Sequence, residues 1–433
     1  MLTQRLIKGN RLSGSGIGIM IILITIFSIS FPARGEEPYN LGAIFEFTGY
    51  GAVYSKHSFQ GVELAVEEIN SQGGFLGKHP IKLFSRDSQT KPDIGIREAR
   101  DLILREKVKA IIGTQSSHIG LAVEEVCYEN KTLQIAANSN SEAFTVANYS
   151  PYTYHMVPNT YMQAKAMGVY ITKIAKEKGW KTYVTIGSDF EFSHMTIDTV
   201  VEYLKKALPE LRLIKQYWPK VGESEFSSYI TSIMVDNPDF VYAAVPGLDG
   251  FAFMRQGNNY GFFKKFNFAS AAIFLTELME MKDEVPRGVM GIFRAPFMAH
   301  LDNPMMANVV KKYRAKYGQY PDDWVPLQYD AVYALKQGIE KAGSIDTEKV
   351  KNALKGMTVN TTRGKLYFRK IDNMLNCPSY VGIVADDPGY PFPILKNIMT
   401  VTGEETWRPE SEIPLIRDKA GLGKKRNPED LKF

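Results

Sequence analysis

From Asn40 onward, short apolar runs alternate with longer stretches in which apolar side chains recur every three or four positions. The runs NLGAIF (40–45), IKLFS (81–85), VKAIIG (108–113), LQIA (133–136), KTYVTI (181–186) and FVYAAV (240–245) read as buried strands. Between the first two, Phe59, Val62, Val66 and Ile69 form the inward stripe of a helix, with Glu63, Glu67 and Glu68 on the opposite face. Asp93 is placed to cap the next helix, which runs to about Lys107 with Leu102 and Ile103 inward. Later helical patterns cover 160–178 (stopped by Gly179), 193–207, 225–236, 249–260, 304–317, 327–342 and 346–355. Strand and helix in regular alternation predict parallel sheets covered by helices on both faces. There are too many units for one sheet, so the expected fold is α/β, with two doubly wound parallel-sheet lobes. The end of the chain, Arg417 to Phe433, carries Lys424-Lys425-Arg426 among several breakers and is expected to be loose.

The amino terminus breaks this pattern. Basic residues at 5, 8 and 11 precede the uncharged run from Ile17 to Phe31, and Ala33-Arg34-Gly35 offers small residues before Glu36. A charged start, an apolar middle and a small-residue exit are the parts of a secretory signal, here residues 1–35. The competing expectation is an uncleaved anchor over the uncharged stretch from Leu12 to Ala33, since a span needs about 20 apolar residues.

Composition narrows the function. Of 433 residues, 44% are hydrophobic and 23% charged, which excludes disorder, collagen and coiled coil. The net charge of +5 is concentrated: Arg5, Lys8, Arg11 and Arg34 lie in the first 35 residues, which carry no acid. The nearly neutral remainder gives no electrostatic case for nucleic acid. Two cysteines, Cys127 and Cys377, and six scattered histidines form no metal-binding spacing, and no cofactor is implied. Gly-x-Ser-x-Gly and Gly-x-Gly-x-x-Gly are absent, and GGFLGK (73–78) lacks the first glycine and the final Ser or Thr of a phosphate loop. The sequence therefore reads as that of a non-enzyme.

In open α/β sheets ligands sit where loops leave the carboxyl ends of strands. Three polar loops occupy such places: Glu46 to Gly51, Thr114 to His118, and Ala137 to Ser141. Free N–H groups at the helix start near Ser116 and Ser117, with a hydroxyl beside them, suit a carboxylate. The alternative is that one of these serines merely caps the helix. Asn138 to Asn140 can equally be a plain polar turn, and Tyr54 a half-buried tyrosine.

The run EEINSQGGFLGKHPIKLFSRDSQTKPDIGIREARDLILREKVKAIIGTQSS resembles the periplasmic binding proteins of the leucine/isoleucine/valine type, receptors of branched-chain amino acid ABC importers. Glu67, Ile69, Asn70, Gly73, Gly74, Gly77 and Asp87 carry the likeness, which continues through KYRAKYGQYPDDWVPLQYDAVYALKQGIEKAGSIDTEKVKNAL and TTRGKLYFRKID. The second half looks like the branch of that family for amino acids, amides and aromatic acids. The resemblance implies a type I periplasmic binding protein with a three-crossing hinge near His155, Arg294 and Gly364. The lobes would be residues 36–155 with 294–363, and 156–293 with 364–410, followed by a loose tail at 411–433. It implies ligand contacts at Tyr54, Ser116, Ser117, Asn138, Ser139 and Asn140 from the first lobe, and at Phe192 and Asp249 from the second. Two departures stand out. The stretch FNFASAAIF lacks the acid that pairs an amino acid's ammonium, which Glu191 or Asp249 would have to supply, and a first-lobe disulfide is replaced by Gln89 and Ser116. The function expected is a periplasmic, monomeric receptor that hands a small-molecule ligand to inner-membrane ABC permease subunits; the alternative is a sensor or chemoreceptor protein on the same fold. Cys127 and Cys377 would fall in different lobes, and two free thiols are expected.

Overall fold

Fourteen strands among the described residues fall into two large sheets and a hairpin. The computed structural model describes residues 36–49 and 51–431, so the expected signal segment lies outside the described residues. The first sheet is parallel, in the order β2 (Ile81–Asp87), β1 (Tyr39–Phe45), β3 (Ala110–Gly113), β4 (Leu133–Ala136) and β5 (Thr153–His155). The second sheet contains β6 (Thr182–Gly187), β7 (Arg212–Tyr217), β8 (Phe240–Ala244), β9 (Asn267–Ser270) and β10 (Met290–Phe293), all parallel. Two antiparallel strands, β13 (Ser379–Ala385) and β14 (Ile394–Val401), complete it at one edge. Near-continuous apolar runs form the central strands because helices cover both faces of each sheet. Four-residue β3 and β4 are buried throughout.

The helical stripes follow the same logic. Val62, Val66 and Ile69 of helix Ala52–Ser71 are buried, and that helix lies against Trp324–Ala342. Its acidic face is covered by helix Pro304–Tyr317, where Lys312 Nζ sits 2.9 Å from Glu68 and Lys316 pairs with Glu67. Helix Pro92–Leu104 starts two residues earlier than an Asp93 cap requires: proline fixes the first turn, Lys91 holds the cap position, and Asp93 lies inside the first turn.

Two boundaries differ from expectation. The stretch Gly364–Tyr367 (β12) does not cross between lobes. It folds back on β11 (Thr358–Thr361), and Leu375 N–H then donates to His155 O at 2.9 Å, alongside Asn373 Nδ2 to Thr153 O at 3.2 Å. The chain therefore stays with the first sheet to Leu375 and enters the second at Ser379. The tail, expected loose, instead forms helices Ile413–Lys419 and Leu422–Lys425. Its breakers and charges misled because Arg417 and Arg426 bury their guanidiniums on the first lobe. Arg417 donates to the carbonyls of Thr145 and Ile371 at 3.0 Å, and Arg426 Nη1 meets both Glu125 oxygens at 2.8 Å.

Candidate functional site

A cavity of about 490 Å³ opens between the carboxyl ends of the two sheets, within the range of small-molecule sites. The first lobe contributes Tyr54, Gln115, Ser117, His118, Asn138 and Asn140. Facing them from the second are Phe190, Glu191, Phe192, Pro246 and Phe274. Arg294, which follows β10 directly, and Trp324, at a helix start, complete the wall.

The turn after β3 is built from two left-handed residues, Gly113 (φ 102°) and Thr114 (φ 58°). A Cβ on Gly113 would lie 2.3 Å from the Ile44 carbonyl, so only glycine lets the strand end there. The turn delivers Ser116 to the cap of helix Ser117–Glu129, yet its hydroxyl caps nothing. It donates instead to Glu46 Oε2 at 2.7 Å while Ser116 N–H donates to Oε1 at 2.6 Å. Glu46 is fully buried, and burial pushes its carboxyl up against these bonds. A carboxylate of the protein itself thus takes the first donors of the helix start. Gly51 permits this, because a Cβ there would stand 1.9 Å from Glu46 Oε2. Ser117 Oγ accepts Ser141 N–H at 3.1 Å and is half-buried on the cavity wall.

Asn138 and Asn140 reach the wall with their amides oriented from behind. Asn138 Nδ2 donates to Ser58 Oγ at 2.6 Å and Gln115 Oε1 at 2.8 Å, and its buried Oδ1 has no hydrogen-bond partner among the described residues. Asn140 Nδ2 donates to Gln163 Oε1 at 2.6 Å. Ser139 points away from the cavity. Alternation along the turn sends its hydroxyl to Thr114 O at 2.7 Å, where it joins two first-lobe loops.

Besides the Asn140–Gln163 bond, hydrogen bonds cross from lobe to lobe beside the cavity at Tyr54 and at Ser141. Tyr54 Oη donates to Glu277 Oε1 at 2.7 Å and accepts Gly247 N–H at 2.9 Å. Ser141 Oγ donates to Glu191 Oε1 at 2.8 Å. Glu277 lies three residues beyond FNFASAAIF, is fully buried, and has its carboxyl pushed up to about 8 by desolvation. Asp249 does not line the cavity. Its Oδ2 accepts from Ser188 Oγ at 3.0 Å and Gly222 N–H at 3.1 Å, holding two second-lobe loops behind Pro246.

The periplasmic binding protein profile matches residues 38–388. The chain belongs to that family. Among its relatives, an amino acid binding protein of Pseudomonas aeruginosa is 24% identical over 349 residues, 81% of this chain and 90% of its own. A Leu/Ile/Val-binding protein homolog of Brucella melitensis is 23% identical over 361 residues, covering 82% and 93%. A solved ABC transporter solute-binding protein from R. palustris, in complex with 4-hydroxybenzoate, superposes with a TM-score of 0.76 at 19% identity, covering 86% and 98%.

In this periplasmic binding protein, Tyr54, Ser116, Ser117, Asn138, Asn140 and Phe192 share one cavity, whereas Ser139 and Asp249 stand behind its wall. Of the two acids considered as substitutes for the missing one, Glu191 lines the cavity and Asp249 does not. Arg294, Trp324 and Phe274 escape a sequence reading centred on the first lobe's loops. The available signal was a lone arginine between the apolar run VMGIF and Ala295-Pro296. An arginine leaving a buried strand must find a partner.

Proposed function

We propose that this protein is an extracytoplasmic receptor that closes its two lobes on one small ligand and delivers it to ABC permease subunits. The ligand classes considered are a branched-chain or other hydrophobic amino acid, a small carboxylate, an amide and an aromatic acid. The observation that carries this reading is the cavity at the strand ends, with Tyr54, Phe190, Phe192, Phe274 and Trp324 in its wall, bridged by the bonds from Tyr54 to Glu277 and Gly247. In support, relatives include an amino acid binding protein and a Leu/Ile/Val-binding protein homolog, and a structural neighbour holds 4-hydroxybenzoate. On this reading Tyr54, Ser117, Asn138 and Asn140 contact the ligand from the first lobe and Phe192 from the second. Ser116, with its hydroxyl and N–H committed to Glu46, supports the turn.

Native mass spectrometry of the gently purified protein, followed by calorimetry with the released compound, tests the reading. One molecule per chain, bound and recovered unchanged, is the expected result. A chain that retains nothing and binds no member of these classes, or that converts what it binds, would overturn it.

A further inference from the structure

Three buried arginines, Arg363, Arg369 and Arg426, and the half-buried Arg408 each stand within 3.4 Å of a carboxylate. Buried Arg417 donates to backbone carbonyls. Arg294 differs from all of these in lining the cavity. Its residue is 3% exposed, yet among the described residues its guanidinium forms no ion pair. Nη1 reaches only Asn138 O, at 3.3 Å, and Nε is buried without a partner. The planar group lies over the rings of Phe274 and Trp324, at 4.8 and 4.7 Å, on the cavity wall. Among the described residues neither neighbouring acid bonds the guanidinium: Asp323 Oδ2 accepts the backbone N–H of Arg294 while its buried Oδ1 has no hydrogen-bond partner, and Glu277 accepts from Tyr54 and from Phe274 N–H. Burial pushes these two carboxyls up to about 7 and about 8, which weakens them as counter-ions at neutral pH. A buried cation left in this condition is costly unless an anion arrives to pair with it.

We infer that Arg294 receives the ligand's carboxylate, and that the ligand is a hydrophobic or aromatic monocarboxylate without an α-ammonium group. This rests on the receptor reading above and assigns the acid end of the ligand to the hinge, not to the Ser116–Ser117 turn, where Glu46 already sits. An α-amino acid carries both charges on one carbon, so its ammonium needs an acid within a few ångströms of the guanidinium. Neither Asp323 nor Glu277 lines the cavity. Glu191, which does, keeps company with Ser141 and His118, while the charged neighbours of Arg294 are Asp323 and Glu277. The rings of Phe274, Phe192 and Phe190 suit the apolar body of such an acid.

Matched probes decide the matter on the unaltered chain. 4-Methylpentanoate against leucine, and 3-phenylpropionate against phenylalanine, differ only by the ammonium; 3-phenylpropanamide lacks the charge. The expected result is that at least one acid binds about tenfold or more tightly than its amino acid, and 3-phenylpropionate more tightly than its amide. Preference for either amino acid, equal affinity for acid and amide, or no binding of any acid would overturn the inference. A different ligand recovered by native mass spectrometry would still uphold the receptor reading. Arg294→Gln should weaken the preferred acid by about 10- to 150-fold without lowering the unfolding midpoint of the ligand-free protein, since it removes an unpaired buried cation. Affinity within threefold of the parent would also overturn it. If Arg294→Gln does not fold, the acid-to-amide ratio of the parent chain decides.

Discussion

Ser117 shows how much one hydroxyl's role depends on its neighbours. Had it capped its helix, alanine there would lower stability by about 1 kcal/mol and leave the ligand untouched. Had it held a carboxylate alone, the same change would cost about 1.5–3 kcal/mol of affinity. The hydroxyl instead accepts Ser141 N–H, on the loop whose own hydroxyl reaches Glu191. Its proton remains available to the cavity. With the ligand's charge at Arg294, Ser117 is left a neutral hydrogen bond, so Ser117→Ala should weaken binding by about two- to tenfold. Calorimetry on Ser117→Ala beside Arg294→Gln checks the order; a larger loss from the serine would return the carboxylate to the helix start. The signal that misleads here is a strand–Ser–Ser–helix pattern that does build an anion site. Glu46, some 70 residues earlier in the chain, fills part of it, and no local spacing reports such a long-range partner.

Among the elements, the strands at β1, β2, β3, β4, β6 and β8 were legible, since buried parallel strands leave uninterrupted apolar runs such as AIIG and LQIA, whereas β5, β7, β9, β10, β13 and β14 went unnamed. Helix Pro304–Tyr317 also occupies its expected span. The hairpin at 358–367 and the tail were not legible, since each is fixed by contacts made far away in the chain. In the tail, Arg426 lies 3.6 Å from Glu124, a fully buried acid whose oxygens have no hydrogen-bond partner among the described residues, and stacks 4.2 Å over Tyr128. Removing the cation strands that acid, so Arg426→Met should destabilise the protein by about 3 kcal/mol or more. Chemical denaturation measures this, and a change below about 0.5 kcal/mol would mean that the tail's docking contributes nothing.

For the molecule as a whole, the buried Tyr54–Glu277 contact places a proton-binding carboxyl between the lobes. Because the folded chain holds the Glu277 proton up to about pH 8, against an ordinary value of 4.5, its contribution to stability is full below 4.5 and is lost as pH rises through about 8. Asp323, pushed up to about 7, acts in the same sense. His155 and His300, pushed down to about 4 by burial, act oppositely: their contribution is present above 6.5 and lost as pH falls through 4. Between pH 6.5 and 8 the acids dominate. The unfolding midpoint should fall across that interval, and Glu277→Gln, which preserves an acceptor for Tyr54, should flatten the decline. A midpoint that rises there would contradict the assignment.

The docked tail has a practical consequence. Arg408 spans Glu142 of the first lobe and the ring of Tyr161 on the second, and farther along the tail Arg417 and Arg426 hydrogen-bond to the first lobe. A fluorophore fused to the carboxyl end would therefore follow the first lobe, and a dye at Val235, 84% exposed on a second-lobe helix, would follow the other. Both native cysteines are buried and free, and desolvation pushes the Cys377 thiol up to about 12 and Cys127 higher still. Maleimide should then label Val235→Cys alone in the native state and all three thiols after unfolding. Energy transfer between the two probes would report occupancy as a ratio of colours, turning the receptor into an optical gauge of its own ligand.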